Sequence, residues 1–265
     1  MNGAGKTTLV RILATQLEPT SGRASIGGLD VMKETKKLRG RIACVPQEAR
    51  TVPWMTAKQT VLSYLMWRGM GYTEASSAAV EALSKVGMEG QENVLNRRLS
   101  GGMKRKVLVA TVLSSDADVI FLDEPTTGLD PISRKELWTY LSALAENRFL
   151  ILTTHYLEEA ERLAGMIGIL HKGKLIGKGS LEQLRDGVGF QYSVMVSEGH
   201  DIPAVRDGIV TGDRSGRTQI LTGEAEAYEL SRSLLEKGAK FSMSKISLED
   251  VFFRLVHKEG EAEAQ

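Results

Sequence analysis

Cysteine is almost absent: Cys44 is the single one in 265 residues. No disulfide can close within the chain, and such usage points to a reducing compartment. Cys44 lies in the apolar run Ile42-Ala43-Cys44-Val45 and reads as strand core, not as a nucleophile. Neither sign of charge is in excess. The formal net charge of +1 offers no global attraction to nucleic acid, and none is expected as a partner. Long apolar runs are missing too. Val119–Leu122 and Met166–Leu170 fall far short of the ~20 residues that span a bilayer. The opening residues do not read as a signal peptide, so any link to a membrane is expected to come through another polypeptide. Tryptophan is scarce, with three in all, and two of them (Trp54 and Trp67) share one stretch with Met55, Tyr64, Met70 and Tyr72. Most of these read as the core of a helical subdomain. Met and aromatics are also enriched at interface cores, so the sharper reading is an apolar docking surface.

What is present begins with Asn2-Gly3-Ala4-Gly5-Lys6-Thr7-Thr8, which runs into an apolar-periodic segment at Leu9, Ile12, Leu13 and Leu17. Glycines let backbone N–H groups turn toward an anion, and a helix N-terminus adds roughly half a positive charge. Lys6 has the reach for terminal phosphates and the Thr7 hydroxyl suits Mg²⁺. At 99–106 the sequence reads Leu-Ser-Gly-Gly-Met-Lys-Arg-Lys ahead of Val107, Leu108, Ala110 and Leu113. Ser100 alone would cap that helix; the added Gly101 and Gly102 suggest close approach of something bulky to the backbone. Val119-Ile-Phe-Leu-Asp-Glu-Pro125 reads as a strand buried on both faces that ends in two carboxylates. Asp123 there suits Mg²⁺ coordination and Glu124 the polarisation of an attacking water. Asp130 caps a helix whose first position is Pro131. Phe149–Thr154 reads as another buried strand with His155 at its end. Gln47 follows the short strand 41–46 at the end where α/β sheets bind ligands. Read alone, Gln47 is a surface glutamine and His155 a structural histidine.

Along the chain, the first helix is expected to stop near Glu18-Pro19. A hairpin follows at 22–28, then mostly helix from 53 to 115. A helix covers 131–144, another 156–163, and a strand–turn–strand 166–179 with its turn at Lys172-Gly173. Beyond 190 the expected order is strand 191–196, helix 202–208, strand 218–222, helix 227–237, strand 241–246 and helix 248–256.

Taken in order, Gly3–Thr8, Gln47, Leu99–Gly102, Leu122–Pro125, Gly128-Leu-Asp130 and His155 resemble the ATP-binding subunit of ATP-binding cassette (ABC) transporters over residues 1 to about 185. Met103–Lys106 and Ser247–Phe253 resemble the drug, polysaccharide and lipid exporter subfamily. The resemblance implies a P-loop NTPase: an α/β fold with a mostly parallel central sheet, a helical subdomain insert at about 53–115, and a small α+β C-terminal domain. The domain expectation is 1–188 for the ATPase domain, 189–257 for the small domain and 258–265 for a disordered tail. By resemblance, Asn2 to Thr8 hold ATP, and Thr7, Gln47 and Asp123 serve Mg²⁺. Glu124 is the catalytic base, assisted by Gln47 and His155. Ser100, Gly101 and Gly102 bind the γ-phosphate held by the other subunit of a homodimer or heterodimer. Asp130 lies at that seam, and His155 grips the γ-phosphate. The partners implied are separately encoded transmembrane permease subunits, with the chain peripheral on the cytoplasmic face of the plasma (inner) membrane. Two alternatives are a soluble cassette ATPase acting on ribosomes or DNA, and a degenerate, non-hydrolysing partner.

The family pattern places the first loop glycine, a strand and an adenine-stacking aromatic ahead of Met1. The expectation is therefore a late start or a fragment. An N-terminal extension of ~25–30 residues, the size of a βα unit, is predicted to raise ATP affinity; equal affinity of both forms by equilibrium binding would refute it.

Overall fold

The Gly-Lys-Thr stretch does open a helix. A computed structural model of the chain describes residues 3–145, 148–197, 202, 205, 206, 208–212 and 217–263, with side chains up to 257. Helix α1 spans Lys6–Leu13 behind a left-handed Gly5. It ends well before Pro19. Thr15 adopts φ 58, and the Arg39 guanidinium holds that residue through its hydroxyl and carbonyl oxygens, both at 3.2 Å. Strands β1 (Ser25–Ile26) and β2 (Leu29–Asp30) form the expected hairpin around Gly27-Gly28, both with positive φ, as a tight two-residue turn requires. Helix α2 (Thr35–Arg41) leads directly into β3 (Ile42–Val45).

The 53–115 stretch folds as α3 (Ala57–Trp67), α4 (Tyr72–Lys85), a 3-10 turn at 96–98 and α5 (Gly101–Leu113). A reciprocal cap starts α3: Thr56 Oγ1 accepts from Gln59 N–H at 3.1 Å and Gln59 Oε1 from Thr56 N–H at 2.9 Å. Tyr64 and Met70 pack on the core formed by these helices, whereas Trp54, Trp67 and Tyr72 stand exposed. The core reading therefore holds for Tyr64 and Met70 and not for the three exposed aromatics.

Strand β4 (Val119–Asp123), helix α6 (Pro131–Ala145), strand β5 (Phe149–Thr153) and helix α7 (Leu157–Leu163) follow. The strands β3, β4 and β5 lie in that order, all parallel. Alternation decides their faces. Ile42, Cys44, Phe121 and Ile151 meet Val10 of α1 and Ala14, which caps it. Ala43, Val45, Ile120, Leu122, Leu150 and Leu152 meet α5 and α6 through Val107, Val109, Leu137 and Leu141. Strand β4 is buried as expected. Strand β5 is not: its residues are half-buried and Phe149 is exposed. The reason is its place at the end of the order, where β4 is its one described neighbour.

The chain divides into two units, Met1–Leu163 and Ala164–Gln265, a division earlier than the expected 188. The hairpin of β6 (Ile167–His171) and β7 (Lys174–Gly179), turning at Lys172-Gly173, packs with α8 (Leu181–Val188) and the C-terminal helix, so it goes with the second unit. Beyond it come β8 (Tyr192–Val196), β9 (Gly208–Gly212), β10 (Thr218–Thr222), α9 (Glu224–Glu236), β11 (Phe241–Lys245) and α10 (Leu248–Glu263). The four strands form an antiparallel sheet in the order β11-β8-β10-β9 over a core of Val194, Val196, Ile220, Leu230 and Leu234. The helix expected at 202–208 falls partly outside the described residues, and its last residue, Gly208, begins β9 instead. Helix α10 runs through Glu263, into the stretch expected to be a disordered tail.

Two outcomes follow from the core of the first unit. Trp138 Nε1 donates to Glu159 Oε1 at 2.8 Å, both side chains fully buried, and Glu159 Oε2 has no described partner. Trp138→Phe is expected to cost about 1–3 kcal/mol by stranding that carboxylate, seen as a lower urea midpoint at unchanged m-value. Burial raises the Cys44 thiol to about 11, the Asp123 carboxylate adding to the rise and a hydrogen bond with Gln16 opposing it. Cys44 should therefore resist alkylation at pH 8 in the native chain and react once unfolded; equal rates in both states would contradict this.

Candidate active site

Parallel register does most of the assembly. Val45 pairs with Leu122, and Asp123 with Thr153. Residues just past these positions, Gln47, Glu124 and His155, therefore leave the sheet along one line. Three donors meet on a single oxygen there, Glu124 Oε2: Gln47 Nε2 at 3.3 Å, Thr127 Oγ1 at 3.0 Å and His155 Nδ1 at 3.1 Å. A carboxylate oxygen only accepts, so in this pairing Nδ1 carries the proton. Oε1 has no described partner, and Glu124, although buried, lines a cleft of ≈ 770 Å³ together with Gln47, Arg50, Gly101 and Thr127.

Glu124 also has a left-handed backbone, φ 50. For a non-glycine residue that costs on the order of 1–3 kcal/mol, and it persists only where its surroundings impose it. Its N–H donates to Thr153 O and to Thr153 Oγ1, both at 3.1 Å. The Thr153 hydroxyl in turn donates to Asp123 Oδ1. One β5 threonine thus orients both carboxylates, and Asp123 Oδ2 has no described partner.

From the other side the turn is held by Arg105, on α5 and buried. Its Nε donates to Pro125 O at 3.1 Å. Nη1 donates to Pro46 O at 3.2 Å and Gln47 O at 3.5 Å, and Nη2 to Asp123 O at 2.6 Å and Glu124 O at 3.0 Å. Burial lowers the Arg105 pKa and the Asp123 carboxylate opposes that, while Arg50 lowers and Glu124 raises it further. Arginine stays charged regardless.

The other expected residues take these positions. Gly3 and Gly5 adopt φ 79 and 95, the conformation that an inward-turned loop needs; Ala4 is buried, Lys6 and Thr7 half-buried, Thr8 exposed. Helix α1 packs on β4 and β5, the strands that carry Asp123 and precede His155. Asn2 lies outside the described residues. Ser100 caps α5 by accepting from Met103 N–H at 3.1 Å. The paired glycines separate into two roles. A side chain on Gly101 would meet open space, whereas one on Gly102 would come within 3.1 Å of Leu129. The bulky neighbour at Gly102 is therefore the chain's own 126–130 loop. Asp130 caps α6 through Ile132 N–H and Ser133 N–H, both at 3.0 Å. A hydrogen bond with the Ser133 side chain, then these backbone bonds, lower its pKa.

The structure thus joins Gln47, Glu124 and His155 directly and Asp123 through Thr153. Ser100–Gly102 meets the Asp130 loop but makes no described hydrogen bond to Glu124. Thr127, Thr153 and Arg105 escaped the sequence reading. Thr127 and Thr153 adjoin motif residues and could have been weighed as their orienting partners. Arg105 entered the sequence reading only as part of the Met103–Lys106 resemblance, with no role of its own.

The family model described as ABC transporter matches residues 1–127. Daunorubicin resistance ATP-binding protein DrrA2 of Streptomyces coeruleorubidus is 34% identical, covering 100% of this chain and 87% of that protein. Nod factor export ATP-binding protein I of Burkholderia orbicola is 33% identical, covering 97% and 86%. Among solved structures, an ATP-binding subunit of an ABC transporter aligns with a TM-score of 0.64 at 27% identity, covering 71% of this chain and 79% of that one. A dimeric ATP-binding cassette in a post-hydrolysis state with ADP and Pi aligns at 0.63 and 26% identity, covering 68% and 82%. Described residues contain no helix long and apolar enough to cross a membrane. With the P-loop glycines, the paired carboxylates at a buried strand end and the Gln47–Glu124–His155 contact already in place, these likenesses make the chain a member of the ABC transporter family, among its ATP-binding subunits.

Proposed function

We propose that the chain hydrolyses ATP as one subunit of a dimer, homomeric or heteromeric, and so drives export through separately encoded membrane subunits on the cytoplasmic face. The observation that carries the reading is the convergence of Gln47, Thr127 and His155 on one oxygen of Glu124. Three donors fix the carboxylate while its other oxygen stays available to accept a proton from water. His155 can donate Nδ1–H to Glu124 and Nε2–H to the γ-phosphate together as the imidazolium, the form in which both ring nitrogens are donors. Gly3 to Thr8 cradle the phosphates at the α1 N-terminus.

Thr7, Gln47 and Asp123 would hold Mg²⁺. Hydroxyl, carboxamide and carboxylate oxygens are the donors a hard cation takes, and Asp123 Oδ2 is left over after Thr153 occupies Oδ1. Bound there, the ion supplies charge neutralisation on the triphosphate. The second copy contributes Ser100, Gly101 and Gly102. Gly101 faces open space, as close approach of a phosphate demands. Export is favoured by the relatives' names, one for daunorubicin resistance and one for Nod factor export. Trp54, Trp67 and Tyr72 offer the apolar surface on which a membrane subunit would dock.

Glu124→Gln keeps the Gln47, Thr127 and His155 neighbourhood but removes the base. It is expected to cut ATP turnover roughly 10²-fold or more with ATP affinity preserved, and to accumulate an ATP-dependent dimer in size-exclusion chromatography. Turnover equal to wild type would end the assignment of Glu124 as base.

A further inference from the structure

Arg105 has no role in the reading above, yet its bonding is unusually complete. A guanidinium has five N–H donors in a fixed fork. All five find a backbone carbonyl: Pro46 and Gln47 on one side, Asp123, Glu124 and Pro125 on the other. These carbonyls lie in or just past the ends of two neighbouring parallel strands, β3 and β4, where the ladder stops; two of them, Pro46 O and Glu124 O, also accept from Ala49 N–H and Thr127 N–H. A buried cation held by carbonyls, not by a carboxylate, is costly to desolvate. It therefore calls for a role that a neutral side chain could not fill.

We propose that Arg105 is a positioning residue for hydrolysis: it imposes the left-handed turn at Glu124 and sets the Gln47 loop at a fixed distance from it. The proposal rests on the ATPase reading. Its first support is the number of donors. Lysine has three on one nitrogen and cannot bracket both loops; glutamine has two. Its second support is location. Glu124 is strained at φ 50, and on the carbonyl side the restraint comes from Nη2 and Nε on residues 123, 124 and 125. Its third is connection. Arg105 stands five residues from Ser100 on the same helix, so α5 carries the Ser-Gly-Gly end and the brace as one rigid body. No described hydrogen bond joins Arg105 to a side chain of the site, so it acts through backbone placement alone.

The test compares Arg105→Lys and Arg105→Met with wild type in the full chain. Hydrogen exchange without nucleotide is the first readout. In Arg105→Lys, amides at 47–49, 124, 126 and 127 should exchange ~10-fold faster or more, with α3, α4 and the second unit unchanged. Turnover is the second readout. It should fall by ~10²-fold, the scale of a 1 Å misplacement, while the equilibrium affinity for Mg-ATP stays within ~3-fold. Unchanged exchange at both loops, faster exchange spread over the whole of Met1–Leu163, or affinity falling in step with turnover would each overturn the proposal. Should Arg105→Met fail to fold, Arg105→Lys, which keeps the charge, decides alone. A wild-type chain that turns over no ATP defeats the ATPase reading and this proposal with it. An active wild type matched by Arg105→Lys defeats this proposal only.

Discussion

A parallel sheet ends badly. At its carboxyl edge the strands stop together, and each leaves carbonyl oxygens that no further residue pairs. Water satisfies them in most loops. Here the ends of β3 and β4 carry Gln47 and Glu124, whose side chains must face each other across a buried gap. A buried unpaired carbonyl costs about 1–3 kcal/mol, and five carbonyls cluster within reach of one side chain, of which Pro46 O and Glu124 O also accept from Ala49 N–H and Thr127 N–H. The guanidinium of Arg105 meets all five. That fork ties the left-handed Glu124 and the short Gln47 loop to α5.

The same economy appears on the other strand. Thr153 accepts from the Glu124 N–H and donates to Asp123, so one hydroxyl sets two carboxylates that would otherwise repel. Like charges on adjacent residues are tolerated when their environments differ. Asp123 points its Oδ1 into a hydrogen bond with β5, while Glu124 gives Oε2 to three donors. Thus the two acids are distinguished before any nucleotide arrives, as the proposed roles of one as a ligand for a cation and the other as a base require.

Much of this was legible in the sequence, and the particular residues explain why. Four apolar residues ending in Asp-Glu require a buried strand with an exposed carboxyl end, and Val119–Asp123 is that strand. Gly27-Gly28 and Gly173 mark turns because positive φ favours glycine, and both hairpins formed, the second with Lys172 at positive φ as well. Cap residues Ser100 and Asp130 sit where local chemistry placed them. Local signals failed where long-range contacts decide. Helix α1 stops at Leu13 because Arg39, 24 residues from Thr15, fixes the left-handed residue that closes it. The Gly-Ile-Val-Thr-Gly run of β9 has two glycines and little burial, so it owes its strand form to pairing with β10. Arg105 is the extreme case. Its function lies in five partners that sequence separates from it by as much as 59 residues, and no periodicity encodes them.

Gly102 adds the last step. Its Cα lies so near Leu129 that a methyl group would intrude at 3.1 Å. The first turn of α5 is thereby seated on the 126–130 loop, whose Asp130 begins α6, while one turn later Arg105 grips residues 123–125. The strand end, the loop and the helix start form a closed circuit: β4 to Pro125, Pro125 O to Arg105, back along α5 to Gly102, then to Leu129. At about 1.5 Å of rise per residue, Gly102 and Arg105 are only ~4.5 Å apart along the axis. In the proposed dimer a phosphate pressing on the Ser100 end of one copy would thus act on a lever whose other contact is the backbone of that same copy's base. Occupation of one copy's Ser-Gly-Gly end and the geometry of its own Glu124 become a single mechanical question, because interdigitated contacts of this kind shift between discrete arrangements and do not stretch.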